Sequence, residues 1–222
     1  MSLVSAKDYK TWIFDCDGVL LDSNQVKSRA FYDTALPYGA NVAERFLSYH
    51  KKFGGVSRFE KFRYLFADIL GMDHFEPDLQ TALLRFSELC KLGLKQSRIT
   101  PGLVEMLTEI KTQGGQTMIV SGGLQSELRE HFSERKLEGL FDQIFGSPDD
   151  KETILEREVG NGSIVYPGIF FGDSQYDFET CSKFDLDFVF ISAWTEFKDW
   201  DEYFSGKAIP AVSFLADCFR KT

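Results

Sequence analysis

The stretch Thr11-Trp12-Ile13-Phe14-Asp15-Cys16-Asp17-Gly18-Val19-Leu20-Leu21-Asp22-Ser23 decides the fold. It begins as a short apolar run, β-branched and aromatic, that reads as a buried parallel strand. The run ends on two carboxylates one residue apart. Gly18 then turns the backbone sharply without a Cβ penalty. An apolar strand with Asp-x-Asp-Gly at its C-terminal tip lies where open α/β sheets place their ligands. Asp and Gly are also ordinary turn residues, so the tip needs support from the rest of the chain. Its chemistry is specific. Asp15 can act as a carboxylate nucleophile. A divalent cation beside it would offset the repulsion between two acids and an incoming phosphate. Asp17 can serve as acid for a leaving oxygen and then as base for a water.

Three later stretches repeat the pattern of a strand that ends in chemistry. Thr117–Val120 reads as a buried strand ending on Ser121-Gly122-Gly123. A hydroxyl followed by glycines and a helix start can bind phosphate oxygens through Ser121 and free N–H groups. Phe141–Phe145 reads as another strand, followed by Gly146-Ser147-Pro148-Asp149-Asp150-Lys151. A lysine at a helix start opposes the helix dipole. Lys151 is therefore expected to point into the cleft, against Asp15 and a substrate phosphate. Ile169–Phe171 ends in Gly172-Asp173-Ser174-Gln175-Tyr176-Asp177. Carboxylates suit a hard ion such as Mg²⁺, with Asp173 as a direct ligand. Asp177 is a direct ligand, a water-mediated one, or a partner of Lys151, and a helix N-terminus also favours an acid there. Phe188–Ile191 is a fifth strand, and the tail is expected to finish the sheet and close with a helix over Leu215–Arg220.

Between the first and second strands the pattern is helical. Gln25–Leu36 forms one helix, capped by Ser23 or Asn24. Val42, Phe46, Tyr49 and Phe53 mark a second, ended by Gly54-Gly55. Ser57 with Glu60 forms a capping box for a third, with Phe59, Phe62, Phe66 and Ile69 on its buried face. A fourth runs from about Pro77, with Leu79, Leu83, Phe86 and Leu89 or Cys90 inward. Thr100-Pro101-Gly102 is expected to open the next helix, with Pro101 at its first position.

Composition excludes several classes. The 222 residues carry a net charge of −9, which argues against nucleic acid as a partner. A local lysine, arginine and metal can still reverse the field inside one cleft. Four cysteines, Cys16, Cys90, Cys181 and Cys218, lack metal-like spacing. Cys16 should face away from the cleft, since successive residues of an extended segment point to opposite sides. No apolar run is long enough to cross a bilayer, and no export-signal pattern opens the chain. A cytoplasmic protein with no membrane partner is the expectation, and oligomeric state is not readable.

With these residues in place, the chain resembles the haloacid dehalogenase-like hydrolases. Asp15-Cys16-Asp17-Gly18-Val19 matches their first motif, Ser121 the second, Lys151 the third and Gly172-Asp173…Asp177 the fourth. Cys16 departs from the Leu, Phe or Met more usual there. The resemblance implies an α/β fold with a Rossmann-like parallel-sheet core over 1–23 and 96–222. It also implies an inserted four-helix cap over 24–95. The implied activity is that of a Mg²⁺-dependent phosphatase acting on a small phosphorylated metabolite, a phosphosugar or phosphoglycolate-like molecule, through an aspartyl-phosphate. Asp15, Asp17 (through its backbone carbonyl), Asp173 and Asp177 would hold the metal. Ser121, Lys151, Gly18 and Gly122 would hold the phosphoryl group. Lys27 matches a cap-side cation. Gly55-Val56-Ser57-Arg58 resembles the G-x-S-R loop of phosphosugar enzymes in the family, with Arg58 on an anionic substrate group. The alternative enzyme is a mutase of the β-phosphoglucomutase type. Dehalogenation and phosphonate hydrolysis fit less well, and a non-catalytic binding module is the non-enzyme reading.

Overall fold

In the computed structural model, which describes residues 3–219, the opening apolar run forms strand β1, Thr11–Phe14, with all four side chains buried. The other strands are β2 (Gln116–Leu124), β3 (Gln143–Ser147), β4 (Gly168–Gly172), β5 (Asp187–Ile191) and β6 (Ala211–Val212). They form one parallel sheet in the order β3-β2-β1-β4-β5-β6. β1 therefore sits between two long-range partners. Phe14 lies opposite Ile119 on one side and Phe171 on the other. That register brings Asp15, the end of β2 and the end of β4 to one edge of the sheet. It is the edge where parallel sheets gather ligands.

Alternation along β1 divides the core. Trp12 and Phe14 face one layer with Ile119 and Phe171, packed on α5 (Leu103–Thr112) and α6 (Gln125–Glu134). Ile13 faces the other with Met118, Val120 and Phe170. That layer packs on α7 (Lys151–Gly160), α8 (Gln175–Cys181) and α9 (Trp200–Phe204). Fully burying such side chains stabilises by roughly 1.5–3 kcal/mol each. Cys16 joins the first layer, 1% exposed, so its side chain is core and not cleft.

The segment between β1 and β2 carries α1 (Asn24–Ala35), α2 (Ala40–Lys52), α3 (Arg58–Tyr64) and α4 (Glu76–Gln96). These helices bury a cluster of their own. Phe31 meets Phe86 at 4.2 Å between ring centroids and Phe46 at 5.6 Å, with Phe62 and Phe66 alongside. The many phenylalanines thus build two cores, one on the sheet and one in the helical cap.

Several local expectations are corrected. β2 continues through Ser121-Gly122-Gly123 to Leu124, with a register shift after Val120, so Ser121 lies within the strand and not at a helix start. The α5 helix opens at Leu103. Gly102, in a left-handed conformation at φ 73°, is its N-cap, which leaves Pro101 outside. After α3 the chain winds through a π-helical turn, Leu65–Ile69, while keeping the same buried face. The expected closing helix is a 3₁₀ turn, Leu215–Cys218, and Arg220 lies outside the described residues. Ser23 precedes α1 but makes no side-chain cap bond.

Candidate active site

Asp15 extends β1 by one residue, and its N–H donates to the Phe171 carbonyl at 2.9 Å. Lys151 is the first residue of α7, whose N-cap is Asp150. Its ammonium lies 2.8 Å from Asp15 Oδ1 and closer still to Asp177 Oδ1. Both side chains of the Lys151–Asp177 pair are fully buried. Burial by itself would lower the Lys151 pKa, but Asp15 and Asp177 outweigh it and hold the group cationic. Both oxygens of Asp177 are engaged. Its other oxygen accepts the Ser174 hydroxyl at 2.6 Å and the Ser174 N–H at 3.2 Å, closing a capping box on α8. Of the roles open to it in sequence, the Lys151 partnership is the one its bonds display.

Asp17 is held differently. Its carboxylate accepts from Ser23 Oγ at 2.5 Å and forms a short ion pair with Lys27. Burial pushes this carboxyl up, but the Lys27 charge and both hydrogen bonds outweigh it and leave it below the usual range. Gly18, at φ 80°, makes room for the opposite wall. A Cβ there would run into Asp173 Oδ2 and the Asn24 amide. Gly18 is therefore required by both its backbone and its neighbour.

Ser121 is wholly buried, and its hydroxyl accepts the Gly123 N–H at 3.1 Å. Gly122 faces the cleft, and a Cβ on it would collide with the Gly55 carbonyl of the cap. The Gly54-Gly55 turn also packs on Ser174, so the cap loop rests directly on the second and fourth motifs.

The ten residues expected at the site gather at this edge. Arg58 differs in its bonding. It lines the cleft, but both terminal nitrogens go to Glu127 of α6, at 2.9 and 2.6 Å, and one also reaches Ser87 at 2.8 Å. Its guanidinium lies 4.7 Å from the Phe86 ring centroid. Arg58 ties cap to core instead of standing free for a substrate.

Sequence reasoning missed several neighbours. Asn24 donates to Asp173 Oδ2 at 2.7 Å and to the Trp194 carbonyl at 2.9 Å. Its place at the start of a helix made it look like a cap. Lys61, His50 and Lys51 line the cap side of the cleft, and Glu196 lines the core side. The only signal for the lysines was a cation at a position that a helix of this length could equally expose.

Asp15, Asp173 and Asp177 each place a carboxylate oxygen within 4.8 Å of the others, all buried. Burial, only partly offset by Lys151, lifts the Asp15 carboxyl to about 6. Burial and the nearby Asp15 and Asp177 charges lift Asp173 well above the ordinary carboxylate range. Lys151 is thus one cation among more acids than it can balance. A divalent ion fits that deficit and the all-oxygen donor set. Asp177 is the most heavily bonded of the three, to Lys151 and Ser174, which leaves Asp15 and Asp173 the more open oxygens.

Comparison with known proteins names the class. The family model for haloacid dehalogenase-like hydrolases matches residues 12–191, and the chain belongs to that family. It is accordingly an enzyme of the hydrolase superfamily built on this sheet and cap. No curated protein matches it in sequence. Among solved structures, a predicted phosphatase from Clostridium acetobutylicum aligns with TM-score 0.72 at 20% identity, over 92% of this chain and 94% of that one. A hydrolase from Pseudomonas syringae gives 0.73 at 18%, over 95% and 96%. A candidate β-phosphoglucomutase from Bacteroides vulgatus gives 0.70 at 17%, over 95% and 86%. At such identities these likenesses speak to the fold. Among the described residues no helix is long and apolar enough to cross a membrane.

Proposed function

We propose that the protein is a Mg²⁺-dependent phosphatase that hydrolyses a small phosphomonoester through an aspartyl-phosphate on Asp15. The observation that carries this reading is the buried Lys151 ammonium seated between Asp15 and Asp177 at the tip of β1. A buried cation of that kind holds a nucleophilic carboxylate ionised and oriented, and it faces the charge that grows on a transferring phosphoryl group. Asp15, the Asp17 backbone carbonyl and Asp173 would hold Mg²⁺, which would supply charge neutralisation for acid and phosphate together.

This chain's own residues do the rest. A carboxylate oxygen of Asp15 attacks phosphorus as the ester P–O bond breaks, and the leaving oxygen takes a proton. Asp17 starts ionised because Lys27 and Ser23 hold it so. The Lys27–Asp17 pair, not Asp17 alone, is therefore the proton source for that oxygen. In the second half, Asp17 takes a proton from a water, the water attacks the acyl phosphate, and Asp15 is regenerated with inorganic phosphate released. Gly54-Gly55 over Gly122 and Ser174 keeps bulk water out while this happens.

A mutase would use the same residues and return the phosphoryl group to a second oxygen. The basic cap side of the cleft favours it to the extent that a bisphosphate must be held in two orientations. The deciding experiment is phosphate release from a panel of small phosphoesters, with and without Mg²⁺, alongside a sugar 1-phosphate. Metal-dependent release that disappears in Asp15→Asn is expected. Isomerised sugar phosphate without release would transfer the assignment to the mutase. No release even from p-nitrophenyl phosphate would remove the phosphatase reading.

A further inference from the structure

The cap side of the cleft carries Lys27, Lys51, Arg58 and Lys61 on its inner face, with an exposed Lys52 over the Phe53 ring. Three of them spend their charge on a carboxylate. Lys27 pairs with Asp17, Lys51 with Glu196 at 3.2 Å, and Arg58 with Glu127 at 2.6 Å. Lys61 does not. It leaves α3 for the interior, is 2% exposed, and ends 2.9 Å from His50 Nδ1. Its ammonium lies 5.3 Å from the Phe31 ring centroid, and among the described residues no carboxylate pairs with it. A lysine on a helix can ordinarily reach water with its flexible stem. This one is turned inward, toward the cleft that Asp15 and Asp173 line from the other side.

A buried ammonium without a counter-ion is costly. We propose that Lys61, braced by His50, is the receptor for a second anionic group of the substrate, a carboxylate or a second phosphate, at the end away from the transferred phosphoryl group. The inference rests on the phosphatase reading of the same cleft and narrows it to phosphomonoesters with a charged tail.

The charges around Lys61 determine how the receptor works. Lys27 faces it from α1, His50 and Lys51 from α2, Asp15 and Asp17 from the end of β1, and Lys151 from α7. Burial first, and then the Lys27 charge, lower Lys61 to about 7, and burial keeps His50 neutral. Lys61 is therefore able to gain or lose its proton close to neutral pH. An anionic tail draws a proton onto Lys61 as it enters, whereas a neutral tail offers nothing in return. Preference for the charged tail should be greatest below pH 7 and fall as pH rises through 7 to 9.

The test is calorimetric titration of the Asp15→Asn protein with Mg²⁺ present, which separates binding from turnover. The ligands are ethyl phosphate, 2-phosphoglycolate and ethylene glycol bisphosphate, each in two buffers of different ionisation enthalpy. At least about tenfold tighter binding of a charged-tail ligand than of ethyl phosphate is expected, with net proton uptake at pH 8. Which of the two gains more identifies the tail as carboxylate or phosphate. In Asp15→Asn/Lys61→Met the ratio should collapse towards one and the proton uptake should vanish. Equal affinities in the parent, or a preference that survives loss of the amine, would overturn the proposal. If the double variant does not fold, the fall of the preference between pH 6.5 and 9 in the parent decides instead, and a flat profile sinks the idea. Turnover of p-nitrophenyl phosphate by the unaltered enzyme is run alongside. Turnover without tail preference overturns the receptor alone. Tail preference without turnover overturns the phosphatase alone.

Discussion

The two walls of the cleft hold their charges in opposite ways. On the core wall the pairs stay within the sheet and the helices packed on it. Lys151 links Asp15 to Asp177, and Ser174 fixes Asp177 from its own helix. On the cap wall three ion pairs reach across to the core, the first of them Lys27 with Asp17. Arg58 meets Glu127 on α6, while Lys51 and Ser28 meet Glu196 beyond β5. The accepting carboxylates are also wetter, with Asp17, Glu127 and Glu196 side chains 14%, 27% and 19% exposed against 4% for Asp15 and 0% for Asp177. Core pairs survive any movement of the cap, whereas cap pairs must break when it lifts. The difference separates two tasks. The nucleophile Asp15 and its lysine are preorganised in the part that stays still, whereas recognition, and the Lys27 partner of Asp17, rest on contacts that can be made and lost with each substrate.

The sharpest way to break this division is Lys151→Met. It removes the one cation that, among the described residues, pairs with the buried group of three acids, two of which it contacts. Loss of one partner from a buried pair costs about 3–5 kcal/mol. Activity should fall by about 10³-fold, as it does when a preorganised electrostatic contact is deleted. Thermal unfolding in the metal-free state should show the stability loss, and added Mg²⁺ should restore part of it by screening the acids. A variant that keeps its melting temperature would mean that Asp15 and Asp177 do not depend on Lys151 as the geometry requires.

Asn24→Ala probes the seam between the walls, since Asn24 begins α1 but holds Asp173 and the Trp194 carbonyl. Groups that orient a metal-binding carboxylate are worth about 10- to 100-fold in metal affinity or activity. The Mg²⁺ concentration for half-maximal activity should rise by that factor, with maximal rate at saturating metal closer to normal. An unchanged metal requirement would reduce Asn24 to a packing residue.

The same division explains what the sequence disclosed. A strand that ends in Asp15 or Asp173 is a conspicuous object, because an apolar run has a direction and its last residue a fixed address. The register of β1 then brings both addresses together whatever the helices do. Lys151 was legible because the helix dipole opposes a cation at that position. The cap offers no such grammar. Lys61 sits beside Phe62 in a helix whose period places one on the surface as readily as inside, and only the packing of His50 and Phe31 turns the amine inward. Arg58 was legible as a cation but not as a paired one, because Glu127 is 69 residues away in the chain. Ser121 was found by its strand, but the continuation of β2 through Gly122 and Gly123 was not, since glycines there read as a break.

The mildest perturbation, Glu127→Gln, asks whether Arg58 is a tie or a hand for the substrate. Glu127 keeps hydrogen bonds to Arg58 and Ser87, and although burial pushes its carboxyl up, the Arg58 bonds hold it below the ordinary value. The amide preserves the shape of the contact while removing its charge. Because the acid is part-exposed, the loss is that of a half-screened pair, about 1 kcal/mol. If Arg58 serves chiefly to close the cap, that loss opens it more often. KM should then rise about fivefold for every substrate alike, with kcat little altered and hydrogen exchange faster across Phe53–Ser57. If Arg58 is instead waiting for an anion that Glu127 imitates, freeing it should lower KM, and only for substrates with a charged tail. The bidentate geometry and the added Ser87 bond favour the first outcome. The second would place two cations, Arg58 and Lys61, on the same tail and make the cap wall a recognition surface throughout.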